Sequence, residues 1–449
     1  MKYYSTNGKA PIADLNKAVV KGLAEDRGLY MPERINKLPK EFFNNIEQMN
    51  FQEIAYTVAC AFFGEDVDLD ALLDIVNDTL SFDCPVTKVK DNIYTLELFH
   101  GPTLAFKDVG ARFMARLLQY FLRHGSVDRN DIATNETVNV LVATSGDTGS
   151  AVANGFLGVD GIHVYVLYPK GKVSPIQECQ FTTLGKNITA IEVDGVFDDC
   201  QALVKSAFMD QKLNQHMKLT SANSINVARF LPQAFYYFNA YARIKALGEA
   251  DNLVMCVPSG NFGNICSALF GHAMGLPVKR FIAANNANDI FYKYLQTGKY
   301  EPKASVQTLA NAMDVGDPSN FARIINLYSK NNQLTPEATH HHITNLISGA
   351  TYSDEQIKET MRQCYKETGY ILDPHGACGY QALVDGLQPG EVGVFCETAH
   401  PAKFKEKVDD ILGIDVVIPA RLRAFMEGQK QSVQMTKDFN DFKQYLLKQ

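Results

Sequence analysis

The sequence predicts an α/β protein of mostly parallel sheets covered by helices on both faces, with a mainly helical stretch at its N-terminal end. Three observations carry this reading. From Val138 onward, short apolar runs alternate with segments whose apolar residues recur at helical spacing. That alternation is the mark of strands joined by helical crossovers. Three of the runs end in polar or glycine-rich loops, the position at which open parallel sheets take their ligands. Before residue 88 the spacing is helical instead, with glycines and prolines marking turns.

The 449 residues, 46% hydrophobic and 21% charged, suffice for a sizeable core and two or three domains. A net charge of -7 argues against nucleic acid or an anionic membrane as partner and leaves room for a local anion site. The opening residues, MKYYSTNGKAPIADLNKAVVKG, contain no apolar signal region. The apolar run Val58–Phe63 is far too short to span a bilayer. Nine cysteines without a C-x-x-C pair suggest free thiols in a reducing cytoplasm, with neither a disulfide framework nor a zinc site. The run His340-His341-His342 has no second ligand cluster beside it, so no metal is expected.

Taken in order, Ala13–Leu23, Glu53–Phe63 and Val67–Leu80 read as helices of a packing domain, lid or oligomer contact. Leu96–Phe113 follows, with Lys107 directly after Thr103-Leu104-Ala105-Phe106. Val109, Phe113, Leu117 and Phe121 recur every four residues, which starts a helix near that lysine. Strands are predicted at Val138–Ala143, His163–Tyr168, Ile188–Val193, Leu253–Val257, Lys279–Ala284 and Val392–Cys396. The first runs into TSGDTGS (144–150) and a helix from Ala151, and the third into a helix over Cys200–Met209. The fourth runs into PSGNFGN (258–264) and a helix with Ile265, Ala268, Leu269 and Ala273 on one face. The last ends in ETAHPAKF (397–404). The tail after Gly428 reads as a peripheral helix.

An amine approached by apolar residues and placed at a helix start should lose some of its affinity for a proton. A partly neutral Lys107 can attack a carbonyl and form a Schiff base. Taken alone, the residue reads first as a snorkelling surface lysine. The loops alter that balance. Ser259–Asn264 joins strand to helix with glycines that let main chain approach an anion. It matches neither the Walker A pattern nor the dinucleotide G-x-G-x-x-G, so it reads as a generic phosphate cup or a tight turn. Thr144–Ser150 offers hydroxyls and N–H donors suited to a carboxylate or phosphate, or simply to helix capping. Thr398, with His400 nearby, supplies a hydroxyl that can bond a heterocyclic nitrogen without forcing its protonation, while strand alternation turns Glu397 the other way. Ser221–Arg229 gathers Asn223, Ser224, Asn226 and Arg229, either a second phosphate site or a capped loop. Schiff-base lysine, phosphate cup and ring-nitrogen hydroxyl together suggest pyridoxal 5′-phosphate.

The sequence resembles the threonine synthases of the branch with a long N-terminal domain. The resemblance rests on Tyr3–Gly28, ELFHGPTLAFKD (97–108), ATSGDTG (143–149), SANSIN (221–226) and VPSGNFGN (257–264). VKRFIAANN (278–286), NAMDVG (311–316) and TAHPAKF (398–404) extend it to about residue 415. It implies the type II pyridoxal-phosphate enzyme fold, two open mostly parallel sheets flanked by helices, with an added helical N-terminal domain. It also implies domains at 1–88 (N-terminal), 89–110 with 222–425 (cofactor-binding), 111–221 (smaller, mobile) and 426–449 (tail).

Carried over residue by residue, Lys107 matches the cofactor lysine. Gly260, Asn261, Phe262, Gly263 and Asn264 match the phosphate cup, and Thr398 the partner of the pyridine nitrogen. Ser145 and Thr148 match contacts to substrate carboxylate or phosphate, and Ser224, Asn226 and Arg229 the substrate-phosphate site. Asp147 stands where many relatives of the wider fold place an asparagine near the cofactor's 3′-oxygen; an ionised aspartate cannot donate there, which leaves that contact open. The reaction implied is O-phospho-L-homoserine plus water to L-threonine plus phosphate, by γ-elimination and β-addition, with domain closure on substrate. A threonine or serine dehydratase and a non-catalytic cofactor-binding paralogue are the rival readings. Oligomeric state stays open between monomer and homodimer.

Overall fold

The computed structural model describes residues 1–124, 137–329 and 333–449. Its strands, in chain order, are β1 (Lys2–Ser5), β2 (Ala13–Asp14), β3 (Tyr30–Pro32), β4 (Val86–Lys90), β5 (Ile93–Glu97), β6 (Val138–Ala143) and β7 (Ile162–Pro169). They continue with β8 (Ile188–Val193), β9 (Lys218–Ser221), β10 (Leu253–Pro258), β11 (Arg280–Asn285), β12 (Ile347–Thr351), β13 (Val392–Glu397) and β14 (Val433–Met435). The apolar runs read as strands all lie in sheets, because each is buried along nearly its whole length.

The described residues fall into two compact units. One comprises Met1, Met31–Phe106 and Phe230–Val417; the other Lys2–Tyr30, Lys107–Arg229 and Ile418–Gln449. The first holds a six-stranded sheet of order β12-β11-β10-β13-β5-β4, parallel except where β4 runs against β5. Helix Pro374–Gly386 belongs to this unit and is buried over most of its length. The second holds a five-stranded, wholly parallel sheet of order β14-β8-β7-β6-β9. Helix Lys107–His124 buries Val109, Phe113, Leu117 and Phe121, the residues whose spacing predicts it. Burying side chains of this size is worth about 1.5–3 kcal/mol each, which makes that face the anchor of the helix.

Two stretches differ from the sequence reading. The first 88 residues are not helical throughout: β1, β2 and β3 form a small sheet of order β2-β1-β3. There Asp14 ends β2 and caps helix Leu15–Lys21, accepting from the Lys17 N–H at 2.8 Å. The tail contributes more than a helix. β14 pairs in parallel with β8, and Phe442 and Leu446 of helix Phe439–Leu446 pack into an apolar cluster with Leu167, Ile191, Leu203 and Ala207.

Candidate active site

In the six-stranded sheet the parallel neighbours β10, β13 and β5 bring their carboxyl ends side by side. β10 feeds the loop Ser259–Asn264 and helix Gly263–Ala273. Phe262 sits in the left-handed region at φ 64° and its side chain does not cap the helix; of the first-turn N–H groups, that of Ile265 is taken by Asn264 Oδ1, which leaves those of Gly263 and Asn264 for an anion. A methyl group on Gly260 would stand 2.7 Å from the Ala312 carbonyl oxygen and 2.8 Å from the Met313 Cα; only glycine fits. The two asparagines brace the loop. Asn261 Oδ1 accepts from the Ser319 N–H at 2.7 Å, and Asn264 Nδ2 donates to the Pro258 carbonyl at 2.8 Å while its Oδ1 accepts from the Ile265 N–H. What the loop presents to a ligand is therefore main-chain N–H, the donor set of an anion cup.

β13 leads into Glu397, Thr398 and His400, and the segment before Lys107 lies along it. Phe106 N–H donates to the Thr398 carbonyl at 2.9 Å, His400 N–H to the Leu104 carbonyl at 3.0 Å, and Ala105 and Ala399 form an antiparallel bridge. Leu104 holds φ 60°, a left-handed conformation that a leucine adopts only under constraint from its surroundings. Lys107 is the next residue after this pairing and opens its helix. Glu397 turns away, as strand alternation predicts, and its Oε1 accepts from the Asp373 N–H at 2.6 Å. Burial, reinforced by Asp373, pushes the Glu397 carboxyl well above its ordinary range. Burial also pushes His400 down to about 4. Thr398 thus stands between a carboxyl whose proton affinity burial raises and an imidazole whose proton affinity burial lowers.

The second unit places the other candidates. β6 and β9 are parallel neighbours, so Thr144–Ser150 and Ser221–Arg229 leave the same end of their sheet. Thr144 Oγ1 accepts from the N–H groups of Gly146 and Gly149 at 2.9 and 2.7 Å and sets the shape of the first loop. Lys107 Nζ donates to Thr148 Oγ1 at 2.7 Å. Asp147 is buried, its Oδ1 accepting from Gln177 Nε2 at 3.0 Å. Ser145 and Ser224 are half-buried.

Asn226 and Arg229 are turned to main chain. Asn226 Nδ2 donates to the carbonyls of Val19 and Ser221 at 2.9 and 3.2 Å, and its Oδ1 accepts from the Ala228 N–H at 3.0 Å. Arg229, 2% exposed, donates from Nε to the Ala222 carbonyl at 2.7 Å and from Nη1 to the Lys107 carbonyl at 3.0 Å. Gly110 makes room for this, since a methyl group there would stand 2.4 Å from the Arg229 carbonyl oxygen. The run at 340–342 begins the same way: His340 lies in helix Pro336–Leu346, with Nε2 at 3.0 Å from the Leu295 carbonyl.

An anion cup, a neutral hydroxyl and an amine are the donor set that pyridoxal 5′-phosphate requires, and the chain supplies residues of each type. Comparison with known proteins agrees. Residues 81–396 match the family of pyridoxal-phosphate dependent enzymes, residues 2–80 the threonine synthase N terminus and residues 376–446 the threonine synthase C-terminal family. Over 448 residues the chain is 43% identical to threonine synthase of Serratia marcescens, covering 100% of this chain and 99% of that one. The chain belongs to the threonine synthases. The crystal structure of threonine synthase from Escherichia coli superposes with a TM-score of 0.90 at 40% identity, covering all of both chains. The pyridoxal-phosphate-bound threonine synthase from Brucella melitensis gives 0.91 at 32% identity, over 100% of this chain and 99% of that one.

This member of the threonine synthases also carries polar residues behind the cup that sequence reasoning did not single out. His375 Nδ1 lies 2.5 Å from Asp373 Oδ2, and His375 Nε2 accepts from the Ala312 N–H at 3.1 Å. Asp314 accepts from Thr308 Oγ1 at 2.7 Å and Asn286 Nδ2 at 2.9 Å, and burial raises its carboxyl to about 6. The available signal was the run Asp373-Pro374-His375-Gly376, a capping aspartate followed by proline at a helix start.

Proposed function

We propose that this chain converts O-phospho-L-homoserine and water to L-threonine and phosphate, with Lys107 holding pyridoxal 5′-phosphate as a Schiff base. The observation that supports the reading is the pairing of residues 104–106 with 398–400, the segment that follows β13, whose parallel neighbour β10 feeds the cup loop; Lys107 is the next residue in the chain after that pairing. When bound, the cofactor's conjugated ring accepts the electron pair left at the substrate's α-carbon.

The residues divide the remaining work. Main-chain N–H groups of Gly260–Asn264 hold the cofactor phosphate. The Thr398 hydroxyl bonds the ring nitrogen without giving up a charge to it. Lys107 Nζ removes the α-proton and later returns it, with the Thr148 hydroxyl, its partner at 2.7 Å, fixing where the amine points. Ser145, Thr148 and Ser224 contact the substrate's anionic groups. Asn226 and Arg229 enter the proposal as braces of the loop and of the Lys107 main chain rather than as direct phosphate ligands, because the donors described above are spent on carbonyls. Asp147, held by Gln177, acts as an acceptor only.

Residues 111–221 would move on substrate binding, keeping water out early and admitting it for addition at the β-carbon. The described residues of 111–221 lie within one compact unit, which extends beyond them to take in Lys2–Tyr30, the start of helix Lys107–His124 and Ile418–Gln449. The same proposal places the enzyme in the cytoplasm, as a monomer or homodimer; among the described residues no helix is long and apolar enough to cross a membrane. A phosphate-release assay with O-phosphohomoserine, run beside a ketoacid assay with threonine and serine, tests the reading. Ketoacid without phosphate release would replace it by a dehydratase.

A further inference from the structure

We infer that His375 is a positioning residue for the cofactor-phosphate loop, acting through the turn Asn311–Met313. The inference rests on the reading of Gly260–Asn264 as the phosphate cup and adds the device that fixes it.

A backbone N–H can only donate, so the contact from Ala312 N–H makes His375 Nε2 an acceptor. The ring proton then resides on Nδ1 and is donated to Asp373 Oδ2. Asp373 is itself fixed: its Oδ1 accepts from the Gly376 N–H at 2.7 Å, and its own N–H donates to Glu397 Oε1 at 2.6 Å. Glu397 is the last residue of β13 and precedes Thr398. One chain of hydrogen bonds thus runs from the strand that carries the ring-nitrogen partner, through Asp373 and His375, to the main chain of Ala312.

The turn that receives it presses on the cup. The Ala312 carbonyl and Met313 Cα occupy the space a side chain at Gly260 would need. On the far side, Asp314 anchors the same turn by accepting from the Thr308 N–H at 3.0 Å and from Asn286 Nδ2, next in sequence after β11. The turn is therefore held by both His375 and Asp314, and its Ala312 carbonyl and Met313 Cα are the atoms against which Gly260 packs. His375 and Asp373 are 2% and 0% exposed, so no water stands ready to replace the bond to Ala312.

The test compares purified wild-type, His375→Leu and His375→Gln proteins for affinity toward pyridoxal 5′-phosphate and for the ³¹P resonance of the bound phosphate. Leucine removes the acceptor, and glutamine restores one with Oε1. The expected result is a roughly tenfold loss of affinity in His375→Leu with a shifted or broadened ³¹P line, and recovery of most of both in His375→Gln. Ala312→Pro removes the same bond from the donor side and should reproduce the loss, which keeps the test open if His375→Leu does not fold. Wild-type affinity and an unmoved ³¹P line in whichever of these variants fold would overturn the inference. A wild-type protein that gave no bound-phosphate signal at all would instead strike at the cofactor reading beneath it.

Discussion

Nη1 of Arg229 donates to the carbonyl oxygen of Lys107 at 3.0 Å, so a buried guanidinium holds the main chain of the residue proposed to carry the cofactor. Arg229→Lys cannot reach both Lys107 and Ala222 with one ammonium. The variant is expected to bind less cofactor and to lose kcat by about 10²-fold, the usual cost of misplacing a reacting group by an ångström. Cofactor absorbance and steady-state kinetics measure it. Full cofactor content with only KM raised would return Arg229 to the role of a direct substrate ligand.

Lys107→Ala should abolish activity and covalent retention of the cofactor together. Borohydride reduction followed by mass spectrometry locates the attachment. A reduced adduct on any other lysine of the wild-type protein would contradict the assignment.

Thr398→Val keeps volume and removes the hydroxyl. One neutral hydrogen bond is worth about 1 kcal/mol, so cofactor affinity should fall roughly fivefold, with the fold intact. Equilibrium titration of the apoprotein reads the change, and an unaltered affinity would separate Thr398 from the ring nitrogen.

Acid stability should depend on Glu391. Hydrogen bonds from Arg280, at 3.0 and 2.6 Å, hold its carboxyl near 2 instead of 4.5, and Lys279 adds a third contact. A carboxyl depressed in the folded state adds stability above its unfolded value, and that stability disappears as pH falls from about 5 to 2. The gap in unfolding free energy between wild type and Glu391→Gln should be about 3 kcal/mol near neutrality and close toward pH 2. Urea unfolding at several pH values follows it; a gap independent of pH would show that the ion pair is not its source.

Phe442→Ala tests the structural share of the tail. Phe442 is fully buried against the five-stranded sheet's core, and such truncations cost about 3–5 kcal/mol. A clear fall in melting temperature is expected, and an unchanged one would make the tail dispensable.

Six of the seven inner strands of the two large sheets were legible in the sequence; the inner strand β5 and the edges were not. β6, β7, β8, β10, β11 and β13 are long apolar runs because neighbours cover both faces. The strands that went unread include β12 and β4, the edges of one sheet, and β14 and β9, the edges of the other. Edge strands such as Lys218-Leu219-Thr220-Ser221 are short and partly polar, which discourages pairing between molecules and erases the apolar signal. In the candidate site, the loops proposed to meet ligand through glycine and hydroxyl groups were readable by residue type. Asp373, His375 and Asp314 were not, because they bond main chain and one another, and no residue spacing encodes such partners. Asn226 and Arg229 illustrate the converse: their chemistry suits a phosphate, while Asn226 Nδ2 and Arg229 Nε and Nη1 reach main-chain carbonyls that no residue spacing announces.

The edge strand β14 also bears on how the protein is made. The sheet it borders draws its other strands from residues 138–221, and the unit around that sheet includes residues 2–30 as well. On a ribosome those earlier segments emerge long before their closing strand is translated. They must wait, partly uncovered, until residues 433–435 have been translated. A nonsense mutation just before Val433 would therefore spare every residue proposed to touch cofactor or substrate and still leave a nascent polypeptide exposed to chaperones and proteases.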